Sequence, residues 1–170
     1  MKVLSIDPGP VESGWLVFDT DSFAPLSFGN DTNMDLLEML VNWSVKYDHL
    51  VIEGFASYGS PVGQTTFDAC FWSGRLVQAW GKEHTIVYRK EVKKHLLGRV
   101  TGNDPAVKQV LIDRFGGVGT KKEPGPLYGI KMHAWSALAL AVTWADQQNL
   151  RTSLDRVQSK DEVVQLGFLL

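Results

Sequence analysis

The sequence predicts an α/β domain with a mixed five-stranded sheet, three antiparallel strands followed by parallel ones, and helices on both faces. Three observations predict it. Short apolar segments punctuated by Gly, Pro, Asp and Ser fill residues 2–29, as hairpin-linked strands require. Strand-like and helix-like patterns alternate after that. Residues 130–147 are rich in Ala and Leu and apolar on most faces, the pattern of a helix packed into a domain rather than lying on it.

The elements follow in order. KVLSID (2–7), SGWLVFD (13–19) and APLSFG (24–29) are the three opening strands. Residues 33–46 place Leu36, Leu37, Leu40 and Val41 at helical spacing, with Asn33 as the expected N-cap. HLVIEG (49–54) is a fourth strand, residues 65–81 suit a helix ending near Gly81, and TIVYR (85–89) is a fifth strand. KEVKKHLLG and DPAVKQVLIDRFGG read as two basic helices, with Pro105 in the first turn of the second. A Gly/Pro/Lys loop spans 116–129, ahead of the helix at 130–147. Residues 1–147 form one domain, and 148–170 are a tail or an added helix of the same domain.

Composition narrows the function classes. The 170 residues are 44% hydrophobic, enough for a full core, and no apolar run is long enough to span a bilayer. A single cysteine, Cys70, excludes an internal disulfide and a Cys-rich zinc site. No signal-peptide pattern opens the chain, so an intracellular protein is expected. The net charge of −2 conceals an uneven distribution. Residues 1–81 hold 3 basic and 10 acidic side chains, residues 82–131 hold 11 and 5, and residues 132–170 hold 3 and 4. The positive charge therefore sits in one middle block, which can form a basic face.

Two strands end on acids, Asp7 and Glu53. Buried charges are rare unless they are paired or hold a metal. If the two strands are adjacent and parallel, their C-terminal ends meet at the edge where open α/β sheets bind ligands. Two carboxylates there repel each other unless a cation lies between them, and hard oxygen ligands favour Mg²⁺ or Mn²⁺, as one ion or two. Alternatively Asp7 caps the Pro-Gly turn and Glu53 makes a surface pair. Spacing alone leaves both readings open.

Four stretches carry a resemblance that favours the first. SIDPGPVESGW resembles the first motif of the RuvC-like Holliday-junction resolvases, in the RNase H and retroviral-integrase superfamily. VIEGF resembles the second motif, VKKHLLGRVTGNDPAVKQV the basic segment, and HAWSALALA the final helix motif. The likeness runs from about residue 2 to 147 and suggests a bacteriophage-type member. It implies an RNase H-like fold and a metal-dependent endonuclease cutting four-way or other branched DNA. Asp7 and Glu53 match the first two acidic ligands, and His133 falls where the family has Asp or His. Ser136 departs from the pattern, because the family's last Asp belongs there, three residues after His133 and on the same helix face. A neutral hydroxyl weakens a second ion's site, so a junction-binding protein of the same fold with weak or no activity is the alternative. Asp146 lies too far along the helix to substitute, and Asp68 and Asp113 are expected to be surface acids.

The resemblance also implies partners. Lys93 and Lys108 match basic positions of the DNA-contacting segment, with Arg89, Lys90, Lys94 and Arg99 around them and Lys121 and Lys122 in the following loop. Lys90, Lys93 and Lys94 are expected on one helix face. Phe55 and Tyr58 stand where a family aromatic stacks on an unpaired base. The helix at 65–81, with Phe67, Phe71, Trp72, Leu76 and Trp80, lies at the family's dimer interface, so a homodimer is expected, cytoplasmic in a bacterial cell or phage-infected host. An actin/hexokinase-type phosphotransferase also opens on an Asp-Gly strand turn, but the sequence shows no second copy of that turn.

Overall fold

The computed structural model describes residues 1–43, 46–57, 59 and 61–167, with 155–167 described by backbone alone. Strands β1 (Lys2–Asp7), β2 (Glu12–Asp19) and β3 (Ala24–Thr32) lead into helix α1 (Asn33–Trp43). Then come β4 (His49–Gly54), α2 (Gln64–Trp80), β5 (His84–Tyr88), α3 (Arg89–Leu97), α4 (Asp104–Phe115) and α5 (Ala134–Gly167). The sheet order is β3-β2-β1-β4-β5, antiparallel through the first three strands in sequence and parallel at β1–β4 and β4–β5. The mixed five-stranded sheet is as the sequence predicts.

Strand alternation sorts the core into two layers. Leu4 and Ile6 of β1 and Leu50 and Ile52 of β4 pack against Leu36, Leu40, Leu76 and Trp80 of α1 and α2. Val3 and Val51, with Leu16, Phe18 and Val87, pack on the opposite side against Ala137, Leu138, Ala141 and Val142 of α5. Val92 of α3 and Leu111 of α4 join that second layer. The small Ala residues of α5 let its backbone lie close to the sheet. Leu138 is fully buried there. Leu138→Ala is expected to cost about 2–5 kcal/mol, read as a lowered urea midpoint with unchanged slope.

Several boundaries differ from the sequence reading: β3 runs on to Thr32 rather than 29, and Arg89, read as the end of the fifth strand, opens α3. Asn33 does not cap α1. The hydroxyl of Thr32 accepts the Asp35 N–H at 3.2 Å, which leaves Asn33 buried for another use. The helix expected through residue 46 ends at Trp43, and residues 44 and 45 lie outside those described. The last helix starts at Ala134 rather than 130, because Gly129 (φ 91°) and Met132 (φ 45°) turn the chain into left-handed conformations first. The same helix continues without a break to Gly167.

Candidate active site

Parallel pairing sets Ile6 beside Ile52, so the next residues, Asp7 and Glu53, stand side by side on neighbouring strands. Alternation puts both on the α5 side, in phase with Val3 and Val51. Their relative exposures are only 7% and 6%. Each carboxyl group acts on the ionisation of the other. Burial, then the hydrogen bond and charge of Asp7, push Glu53 up to about 9, with Arg89 opposing. Burial also raises Asp7, but hydrogen bonds from His133 and Glu53 outweigh it and hold Asp7 below its ordinary value. The pair thus keeps a proton, carried by Glu53, where a cation would neutralise it.

His133 is the third member. It is not within the helix, as the sequence suggested, but at its N-cap: its carbonyl accepts the Ala137 N–H at 3.0 Å. That leaves the imidazole free to meet Asp7, with Nδ1 3.0 Å from Oδ2. This hydrogen bond raises the His133 pKa, and partial burial opposes it. Gly14, paired with Asp7 across β1 and β2, makes the approach possible. A Cβ at Gly14 would overlap the His133 backbone carbonyl carbon and Cβ. Asn30, paired with Gly14 on β3, clasps the same turn. Its Oδ1 accepts from Ala134 N–H at 3.2 Å and its Nδ2 donates to the Lys131 carbonyl at 3.0 Å.

The Asp7 turn is held from below. Asn33 Nδ2 donates to the Gly9 carbonyl at 3.0 Å, Ser13 Oγ donates to Asn33 Oδ1 at 2.5 Å, and Gly9 N–H donates to Ser13 Oγ at 3.3 Å. This closed network fixes the DPGP turn, and hence the end of β1. The sequence reading missed Asn30 and misassigned Asn33. Neither belongs to a short motif, and only the strand register reveals their positions.

Asp7, Glu53, His133 and Ser136 line one open cleft of about 420 Å³, with Gly54, Phe55, Ala56, Thr66, Arg89 and Asp104. Ser136 lies in the first turn of α5, on the side that faces the acids. Arg89, the first residue of α3, points inward: its Nη1 is 3.4 Å from Glu53 Oε1 and its Nη2 pairs with Asp104. The sequence reading took Asp104 for a helix-start residue and gave it no role; nothing in NDPAV distinguishes the two. A narrow, mainly apolar pocket opens beside the cleft between α3, α4 and α5, lined in part by Lys93, Lys108 and Trp135. The Lys108 ammonium sits 4.5 Å from the Trp135 ring centre.

The other basic residues spread out. Lys93 and Lys94 line different depressions, Lys93 the pocket beside the cleft. Lys94 lines a separate depression with Glu91, His95 and Gln147. Lys90 is exposed on the first turn of α3. Lys121 and Lys122 are exposed in a small loop closed by a bridge between Gly119 and Pro124. Tyr58 lies outside the described residues. Asp146 is remote from the acids, gripped by Arg114 at 2.6 and 2.8 Å and by His95 at 2.7 Å. Asp68 and Asp113 bond to Gln64 and Gln109 of their own helices, each at 2.8 Å, as surface helix acids do.

Two carboxylates and an imidazole are donor types that Mg²⁺ or Mn²⁺ would accept. Asp7 and Glu53 are buried on neighbouring strands and the His133 imidazole adjoins Asp7, although among the described residues no group of three His, Cys, Asp or Glu side chains is arranged to hold a metal ion. A pH dependence follows. Glu53 binds its proton more tightly folded (about 9) than at its ordinary 4.5. Its contribution to stability is therefore complete below 4.5 and is lost as pH rises toward 9. Thermal midpoints of the metal-free protein are expected to fall over that range. Mn²⁺ should restore more stability near pH 8.5 than near pH 6, and Glu53→Gln should flatten both trends.

Comparison with known proteins agrees with this architecture. The structure of RuvC from Thermus thermophilus superposes with a TM-score of 0.65 at 19% identity, covering 89% of this chain and 98% of that one. T. thermophilus RuvC in complex with Holliday junction substrate gives 0.65 at 17% identity, covering 88% and 96%. No protein-family model matches the chain, and no curated protein matches it. The fold is therefore RuvC-like, of the RNase H-like class.

Proposed function

We propose that this chain is a structure-selective DNA endonuclease that resolves four-way junctions or other branched DNA by metal-dependent hydrolysis. One observation carries the reading: in a RuvC-like fold, two strand-end carboxylates meet against His133 inside an open cleft. Asp7 and Glu53 would hold Mg²⁺ or Mn²⁺, with His133 and Ser136 at the rim. When bound, such an ion lowers the pKa of its water and neutralises charge at the phosphate. Asp7 holds the Nδ1 edge of His133, which leaves Nε2 as the nitrogen able to take a proton or ligate. In the net reaction a water oxygen bonds to phosphorus as the bond to the 3′ oxygen breaks. The products are a 5′-phosphate and a 3′-hydroxyl.

The surroundings support a DNA substrate. Lys93 and Lys108 lie beside the cleft to meet phosphates, and Phe55 lines it as a stacking surface. Paired cuts need two sites, and α2 offers a surface for a second copy. Phe67 and Phe71 are 58% and 64% exposed, beside an apolar groove between α1 and α2 lined by Leu37, Val41 and Cys70.

The test is a labelled four-way junction incubated with Mg²⁺ or Mn²⁺ beside an intact duplex of the same sequence. Paired nicks near the branch point and none in the duplex are expected. Ser136 favours one alternative, a junction-binding protein without catalysis. Tight binding with no product in either metal is its outcome.

A further inference from the structure

We infer that Arg89 is a catalytic residue of this cleft: a fixed positive charge that contacts the scissile phosphate where a second cation would otherwise sit. The inference rests on the nuclease reading above and concerns the same site.

Placement comes first. Arg89 opens α3, and the Tyr88 N–H donates to Glu91 at 2.7 Å, which fixes the backbone at that point. Asp104 opens α4, and the Asn103 cap accepts the Ala106 N–H at 3.1 Å, which fixes the facing turn. The guanidinium is therefore held between two anchored helix starts. Glu53 takes one side of it and Asp104 the other. It remains 38% exposed and lines the same cleft as Asp7, His133 and Ser136. Asp104 orients the fork of Arg89, and the exposed part of the guanidinium is available to a phosphate oxygen.

Charge balance comes next. Three carboxylates line the cleft (Asp7, Glu53 and Asp104) against one guanidinium. Arg89 is the fixed positive charge among them, and its guanidinium stands between two of the three acids. Beyond Asp7, Glu53 and His133, a second ion would find the neutral hydroxyl of Ser136 at the start of α5. A carboxylate at that position would make a second ion reasonable; the serine makes the arginine the better partner for the phosphate.

The experiment is Mn²⁺ titration by isothermal calorimetry, run beside single-turnover junction cleavage. The unaltered chain should bind a single Mn²⁺. Arg89→Met should keep that ion and keep junction binding, yet cut about a hundredfold more slowly. Arg89→Lys, which keeps the charge but not the fork, should fall between them. Adding Ser136→Asp to Arg89→Met should raise the stoichiometry to two ions and recover at least part of the lost rate. Two ions in the unaltered chain overturn the inference, as does Arg89→Met or Arg89→Lys cutting at the normal rate. Mn²⁺ binding that survives Asp7→Asn overturns the underlying nuclease reading as well, which separates the two failures.

Discussion

An Asp7→Asn chain is expected to bind branched DNA as the unaltered protein does and to cut it at least about a thousandfold more slowly. The amide matches the carboxylate in shape, so the turn held by Asn33, Ser13 and Gly9 should persist. What disappears is one of the two buried carboxyl groups that would hold the ion. Metal activation of water and phosphate supplies several kcal/mol, and each 1.36 kcal/mol is tenfold in rate, which sets the size of the loss. Lys93 and Lys108, proposed to meet DNA, lie beside the cleft rather than in the acid pair, so affinity should hold. Gel shift in Ca²⁺ and single-turnover cleavage in Mg²⁺ measure the two separately. Cleavage within tenfold of normal would remove Asp7 from the mechanism.

Gly14→Ala carries the second large effect. The added methyl overlaps backbone as well as the Cβ of His133, so no rotamer change relieves it. Either β2 or the start of α5 must move. Overpacking of this kind costs about 1–3 kcal/mol, and here the displaced residue is also the one bonded to Asp7. The variant should lose both urea stability and cleavage, whereas His133→Ala should lose cleavage with much less stability. A Gly14→Ala chain with normal stability and rate would mean that α5 has room to shift without disturbing the site.

Much of this was legible in the sequence because it rests on local patterns. Short apolar runs in KVLSID and HLVIEG mark two strands and put Asp7 and Glu53 at their ends. The Ala-rich stretch after His133 marks a helix that packs closely on the sheet. Long-range placement was not legible. Asn30, Asn33 and Asp104 act on the site through partners distant in sequence, and each looks like an ordinary turn or cap residue where it stands. Asn33 shows the cost of a local rule: it has the composition of a cap, but Thr32 one residue earlier takes that role. The helix start was misplaced for a similar reason, since Met132 adopts a left-handed conformation that its residue type does not announce.

The most direct measurement is an anomalous-scattering map from crystals of the protein soaked in Mn²⁺. A peak within bonding distance of both the Asp7 and Glu53 carboxylates, absent from Asp7→Asn crystals, is the predicted result. Mn²⁺ absent from that point, or seated away from the two carboxyl groups, would contradict it.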